Sequence, residues 1–250
     1  MTFPAHQGLI AAVKLRWPHH VDGTALCIGA ASPDLAYALG SWLNRHSHTA
    51  IGLLVRAIPF TLVAAEVTRR RAAAGIFAHL PDLGPLRVRS YRVLGRRRPG
   101  RLVTLVSVLV GAGSHVVIDG FTHQGRWGAD LFGLNAVVFT APVRGEFSVA
   151  RIGQYLGRLF GSLAFVVVLV MIARGGRLEK WYGAQAVDAV RAHRPGVWER
   201  VGFWLMVGVP TVAAAGAALI LGRSPLFLAI TVLVMALITV GAVIRSATEP

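Results

Sequence analysis

Acidic residues are scarce in this chain. There are 11 Asp and Glu against 26 Lys and Arg, and all charged residues together make up only 15% of the 250 positions. Soluble domains carry about 25% charged residues. With a hydrophobic fraction of 54% and a mean hydropathy of +0.59, this scarcity excludes an ordinary soluble fold and points to a membrane protein. Cysteine occurs once, at Cys27, which excludes an intramolecular disulfide and leaves the redox compartment open; it reads as a small buried apolar residue. No Ser-, Pro- or Gly-rich linker divides the sequence and no internal repeat is visible. The expectation is one integral membrane domain over 1–250, an all-α, multi-pass helical bundle of four to six spans. The first 23 residues are interrupted by Pro4, Lys14, Arg16, Pro18 and the pair His19 and His20, so no secretory signal peptide is expected and the N-terminus is read as retained.

A spanning helix needs roughly 20 mostly apolar residues, and the segments 101–119, 201–222 and 225–244 meet this directly. The run at 155–173 qualifies if Arg158 snorkels to the interface. The run at 50–66 carries Arg56 and Pro59, which fits a kinked span or a buried helix. In the segment 24–42, Asp34 follows Pro33. Proline favours an extended residue before it and a helix start after it, so this stretch reads as a helical hairpin or re-entrant segment, with Asp34 a candidate cap.

The net charge of +15 raises nucleic acid as a partner, yet the basic residues are not interleaved with stacking aromatics, and no nucleic-acid partner is expected. They collect between apolar runs instead. Ten Arg lie between 67 and 101 against one acid, Asp82, and six Lys or Arg lie between 174 and 200 against three acids. By the positive-inside rule both segments face the cytoplasm, where anionic lipid also attracts them. The run at 101–119 then leads outward, 120–154 lies outside, and a hairpin of the last two spans returns the C-terminus to the cytoplasm of a cell-membrane protein.

At the outward end of that run stands "SHVVIDGFTH", Ser114 to His123. Residues i and i+4 share one helical face, so His115 and Asp119 can grip a single ion, joined by His123 if the helix continues past Gly120. An aspartate inside a span costs up to about 2.5 to 3.5 kcal/mol and usually serves a pathway, partner or site. The plain alternative is that Asp119 caps a turn and the histidines hydrogen-bond between helices. The other candidate ligands, His6, Asp34, His46 and His48, also lie in the N-terminal half, whereas beyond residue 150 the only histidine is His193. His6 is a ligand or a surface residue near a frayed end, and at most one of His46 and His48 need be a ligand. His19, His20, His79 and His193 have no paired carboxylate in the pattern and read as solvated.

The series "PAH", "SPD", "HSHT" and "GxxSHxxxDxxTH", the last from Gly111 to His123, resembles multi-pass bacterial proteins described as predicted membrane-bound metal-dependent hydrolases. It is especially similar to an actinobacterial membrane family of unknown function, the domain of unknown function 4184 type. More distantly, the order of ligands resembles the zinc-dependent phospholipase C and P1 nuclease superfamily, all-helical enzymes that hold a cluster of zinc ions. This likeness covers roughly residues 1–125. It implies a first metal set of Asp34, His46 or His48, His115 and Asp119, with Asp119 as the catalytic residue bridging to a second ion held by His123, and His6 nearby. The chain departs from the soluble enzymes in having no second His-x3-Asp/Glu pair after His123, so the implied count is one or two ions rather than three.

Imidazole and carboxylate without thiolate suit zinc, manganese or iron, and the resemblance favours zinc. An open coordination position lowers the pKa of bound water toward about 7, which makes a phosphoester the natural target and a membrane lipid or lipid-linked phosphate the expected substrate. Ser32, Ser114 and Thr122 are candidates to orient ligands. The loop 124–147, with Trp127 and Phe132, reads as an interfacial substrate cover or a packed or interfacial helix. Two other classes remain open: an ion- or proton-coupled transporter, and a noncatalytic membrane scaffold with a structural metal. A transporter should carry polar residues in several spans, whereas 201–222 and 225–244 have no ionisable residue apart from Arg223 between them.

Overall fold

The computed structural model describes residues 4–38, 49–84, 86–96, 99–192, 194–221 and 225–248. The expected candidates His46, His48 and His193 lie outside them. The described chain is dominated by helices, and three are long and apolar enough to cross a membrane: α5 (Arg101–Thr122), α7 (Val149–Arg174) and α10 (Val197–Ile220). That count is below the four to six spans expected. The remaining strongly apolar helix, α11 (Pro225–Thr248), carries a shorter apolar run at Leu228–Ile244 among the described residues. Leu159, Phe160, Leu163 and Val167 on α7 and Leu205, Val209 and Val212 on α10 are exposed. Such a density of uncovered large apolar side chains suits lipid rather than water.

Two compact units share the chain. The first comprises the described residues of Met1–Tyr37, Ser41–Thr61 and Arg101–Val168. It begins with α1 (Ala5–Arg16) and α2 (Gly23–Ala38). Asp22 caps α2: its Oδ1 accepts from the backbone N–H of Thr24 (3.1 Å) and Ala25 (3.2 Å), and its Oδ2 accepts from the Thr104 hydroxyl of α5 (2.9 Å). The cap thus satisfies orphan N–H groups and ties the start of α2 to α5 in one step.

The helix does not break at Pro33, contrary to the hairpin reading. A proline within a helix leaves the carbonyl four residues earlier without its donor, here that of Gly29. The Ser32 hydroxyl donates to that carbonyl at 2.9 Å, the kind of side-chain substitution that makes helical proline tolerable away from water. Asp34 is therefore a buried mid-helix residue and not a cap.

Glycines fix how closely the helices of this unit approach. A Cβ on Gly111 would lie 2.3 Å from the Leu26 carbonyl oxygen, and one on Gly29 would lie 2.9 Å from that of Val108, so α2 and α5 cross in backbone contact. A Cβ on Gly8 would meet the Gly161 carbonyl oxygen at 1.8 Å, bringing α1 equally close to α7. Small residues permit this approach between apolar helices. After α5 the chain forms a short helix, α6 (Trp127–Leu131), and an antiparallel hairpin of β1 (Val137–Ala141) and β2 (Gly145–Ser148). The chain remains all-α in class, and the hairpin replaces the single packed or interfacial helix read over 124–147. The rings of Phe139 and Phe147 stack across it at 4.7 Å, and Arg151 lies 4.6 Å over Phe147.

The second unit comprises the described residues of Ala38–Gly40, Leu62–Gly100 and Leu169–Pro250. The helix α3 (Ile58–Val67), which follows a π-helical turn (Leu53–Ala57), enters this unit and continues through a second π-helical turn (Thr68–Ala72) into α4 (Ala73–His79). A 3-10 helix (Val88–Gly95), α8 (Arg177–Tyr182) and α9 (Ala184–Ala192) precede α10 and α11. Several arginines of the basic stretch find acids. Glu66 pairs with Arg69 and Arg70, Asp82 holds Arg89 at 2.8 Å, and Glu179 lies 3.6 Å from Arg87. A Cβ on Gly75 would meet the Gly241 carbonyl oxygen at 2.2 Å, so α4 and α11 also touch through glycine.

Candidate metal centre

Three helices bring the candidate ligands of the first unit together. α1 supplies His6, α2 supplies Asp34, and α5 supplies His115 and Asp119, all four nine-tenths or more buried. One ligand atom each from His6, Asp34 and His115 lie within 4.8 Å of one another. Asp119 stands between the histidines: Oδ2 is 3.2 Å from His115 Nε2, and Oδ1 is 3.3 Å from His6 Nε2 and 3.4 Å from His123 Nδ1. Asp34 Oδ1 is 3.7 Å from His115 Nε2. Charged N–H···O hydrogen bonds close to about 2.7–2.9 Å. Ligand atoms about 2 Å from one tetrahedral ion stand roughly 3.3 Å apart, close to the three separations between Asp119 and the histidines.

The orientation of His115 sharpens the chemistry. Its Nδ1 lies 2.8 Å from the Ala30 carbonyl oxygen of α2. A carbonyl only accepts, so Nδ1 carries the ring hydrogen, and Nε2 of the neutral ring presents a lone pair. That lone pair faces two carboxylate oxygens. Two carboxylate oxygens facing one lone pair repel it unless a proton or a cation lies between them. Histidine donating one ring N–H to a carbonyl while presenting the other nitrogen is the usual posture of a metal ligand. The Gly29–Gly111 contact makes it possible, because Ala30 and His115 lie one residue and one turn beyond the crossing. His6 stacks obliquely on His115, with ring centroids 4.1 Å apart, and neither of its ring nitrogens makes a hydrogen bond.

His123 follows the last residue of α5, whose helix runs through Gly120 to Thr122, so Asp119 is not a turn cap. The Gln154 side chain of α7 meets His123 Nε2, which turns Nδ1 toward Asp119. Burial, the largest influence, holds the His123 imidazole below its ordinary pKa against the opposing Asp119 carboxylate. Neutral imidazole is the form that ligates. Beside His6 lies a cleft of about 20 Å³, lined also by Ile118, Thr122, Gln154 and Arg158. It has room for a single water. The Nε of Arg158 is buried there without a hydrogen-bond partner.

Of the sequence candidates, His6, Asp34, His115, Asp119 and His123 thus converge, while His46 and His48 fall outside the described residues. His19 and His20 are exposed as expected. His79 is not solvated: it is 4% exposed and belongs to the second unit. Ser32 and Ser114 donate to the helix carbonyls of Gly29 and Gly111 rather than to any ligand, whereas Thr122 Oγ1 lies 3.4 Å from His123 Nδ1. Sequence reasoning missed Gln154 and did not connect Arg158 with the site. Their i,i+4 spacing inside an apolar run was the available signal, since it puts two polar groups on one face.

The chain belongs to the family described as "Domain of unknown function (DUF4184)", whose model matches residues 1–247. No curated protein and no solved structure matches it.

Proposed function

We propose that this member of the family is a membrane-embedded, metal-dependent hydrolase of phosphoesters, with a phospholipid or lipid-linked phosphate as substrate. The observation that carries this reading is the buried convergence of His6, Asp34, His115 and Asp119 from three helices, at a polar density that an apolar bundle does not accumulate without a use. Imidazole and carboxylate donors fit zinc, manganese or iron, with zinc preferred. An ion held there supplies a Lewis acid that makes water nucleophilic near neutral pH. Asp119, in contact with three histidines, would help hold the ion and is placed to accept a proton. Arg158, at the mouth shared with His6, faces the anionic oxygens of the ester. The cleft admits a water and no more, so a lipid substrate approaches its rim.

In this reading α5, α7, α10 and α11 are four spans, the basic stretches are cytoplasmic, and the centre lies at the extracytoplasmic face of the cell membrane. With Cys27→Ser as background, a cysteine at Gly100 should be shielded from an impermeant thiol reagent in intact cells, and one at the hairpin tip, Val143→Cys, should react. The reverse labelling pattern overturns the orientation. The activity itself is tested by purifying the protein without chelators and measuring phosphate or headgroup release from phospholipids and lipid-linked phosphates, with and without added Zn²⁺. Release that disappears on chelation and in Asp119→Asn supports the hydrolase. Stoichiometric metal without release of any product reduces the centre to a structural one.

A further inference from the structure

Away from the candidate metal centre, a cavity of about 480 Å³ lies within the second unit, lined by α4, the 3-10 helix, α9, α10 and α11. That volume falls in the range of small-molecule sites, about 300–1,000 Å³. His79 lies in its wall. The residue is 4% exposed, and its ring stacks face to face on Phe203, with centroids 4.5 Å apart and planes 8° apart. Its Nδ1 lies 2.7 Å from the Gly75 carbonyl oxygen of its own helix. A carbonyl only accepts, so Nδ1 carries the hydrogen and Nε2 of the neutral ring is an acceptor. Nε2 is buried and has no hydrogen-bond partner. An acceptor left in that state costs about 1–3 kcal/mol, a cost a ligand donor removes.

The rest of the lining carries the opposite preference. Arg92 and Arg96 border the cavity. Arg92 is steered by donating from Nη1 to the Val190 carbonyl at 2.7 Å. Arg96 has no carboxylate partner among the described residues, in contrast to Arg69, Arg70, Arg87 and Arg89. The nearest acid on the wall, Glu199, turns its Oε2 to the Gly196 backbone N–H at 2.7 Å as a helix cap. Guanidinium forks match phosphate oxygens, and an imidazole nitrogen left as an acceptor matches a hydroxyl donor.

We propose that this cavity is a binding site for a phosphate ester bearing free hydroxyls, with the phosphate on Arg92 and Arg96 and a hydroxyl donating to His79 Nε2. Either the polyol headgroup of an acidic phospholipid or a free polyol phosphate has this chemistry. Basic pockets between membrane helices on the cytoplasmic side bind such headgroups, and the positive-inside reading puts the arginine-rich stretch on that side. The site is confined to the second unit and uses no residue of the metal centre.

The test uses the full chain in detergent with glycerol 1-phosphate as soluble probe, and the full chain in phosphatidylcholine nanodiscs with or without phosphatidylglycerol as lipid probe. Binding is followed by the fluorescence of Trp204, the neighbour of Phe203 in sequence. His79→Phe keeps the stack on Phe203 and removes the acceptor; Arg96→Ala removes an exposed cation and leaves the packing intact. Each should weaken binding about tenfold or more and leave metal content unchanged. Saturable binding of the soluble ester alone identifies a free metabolite-like ligand, and a response to phosphatidylglycerol alone identifies the headgroup. Absence of saturable binding in both arms, or wild-type affinity in Arg96→Ala and in a folded His79→Phe, overturns the proposal. Loss of activity at the metal centre has no bearing on this outcome, because neither substitution touches it.

Discussion

Asp119→Asn should lose nearly all bound metal while still inserting and folding. Asparagine keeps the size of the side chain and one oxygen acceptor but removes the charge that holds a divalent ion, so the substitution separates ligation from packing. Asp119 is within 3.4 Å of His6, His115 and His123, the three histidines of the cluster. Loss of a group that merely orients a ligand weakens metal binding by about 10- to 100-fold; loss of this carboxylate should exceed ~100-fold. His115→Ala should behave similarly, since it removes a donor and leaves the Asp34 and Asp119 carboxylates facing each other. His19→Ala, at an exposed position, and His79→Ala, in the other unit, should retain the metal. Elemental analysis of protein purified without chelators, with circular dichroism as a folding control, decides the matter. A metal-free wild type means that a proton rather than a metal ion lies between His115 Nε2 and the carboxylates, and the cluster is a buried hydrogen-bonded network.

The i,i+4 spacing of His115, Asp119 and His123 was legible because helical periodicity is local: three residues on one face need no knowledge of the rest of the fold. Asp34 and His6 were recognisable as candidates only by residue type and by the family resemblance, since nothing local tells which helix will pack on which. The reading of Pro33 as a break failed for a related reason. Whether a proline ends a helix depends on whether its orphaned carbonyl finds another donor, and the Ser32 hydroxyl supplies one. His79 was read as solvated because it lacks a carboxylate neighbour in sequence. Its partners are a carbonyl of its own helix and a ring more than a hundred residues away, and neither is marked by a charged pattern. The hairpin after α6 was hidden because its strands are only five and four residues long, too short for alternation to stand out against an apolar background.

What the sequence conceals most completely is which glycine meets which, and the largest structural effect is expected there. The chain has 28 glycines, and Gly111 and Gly113 differ in nothing but two positions along α5. At Gly113 a Cβ would meet nothing within 4 Å, whereas at Gly111 it would lie 2.3 Å from the Leu26 carbonyl oxygen and 3.0 Å from the Ala30 nitrogen. Those atoms are backbone and cannot step aside as a flexible side chain would. Gly113→Ala should therefore be neutral or stabilise by up to about 1 kcal/mol through helix propensity. Gly111→Ala should cost about 1–3 kcal/mol as an overpacked contact. It should also move α2 away from α5, lengthening the bond from His115 Nδ1 to the Ala30 carbonyl and withdrawing Asp34 from the centre. Metal affinity should fall in Gly111→Ala although every ligand is present, and should be unchanged in Gly113→Ala. Thermal unfolding in detergent and metal content, measured on the two variants side by side, provide the check. Equal stability and equal metal content would show that the α2–α5 crossing does not set the geometry of the site.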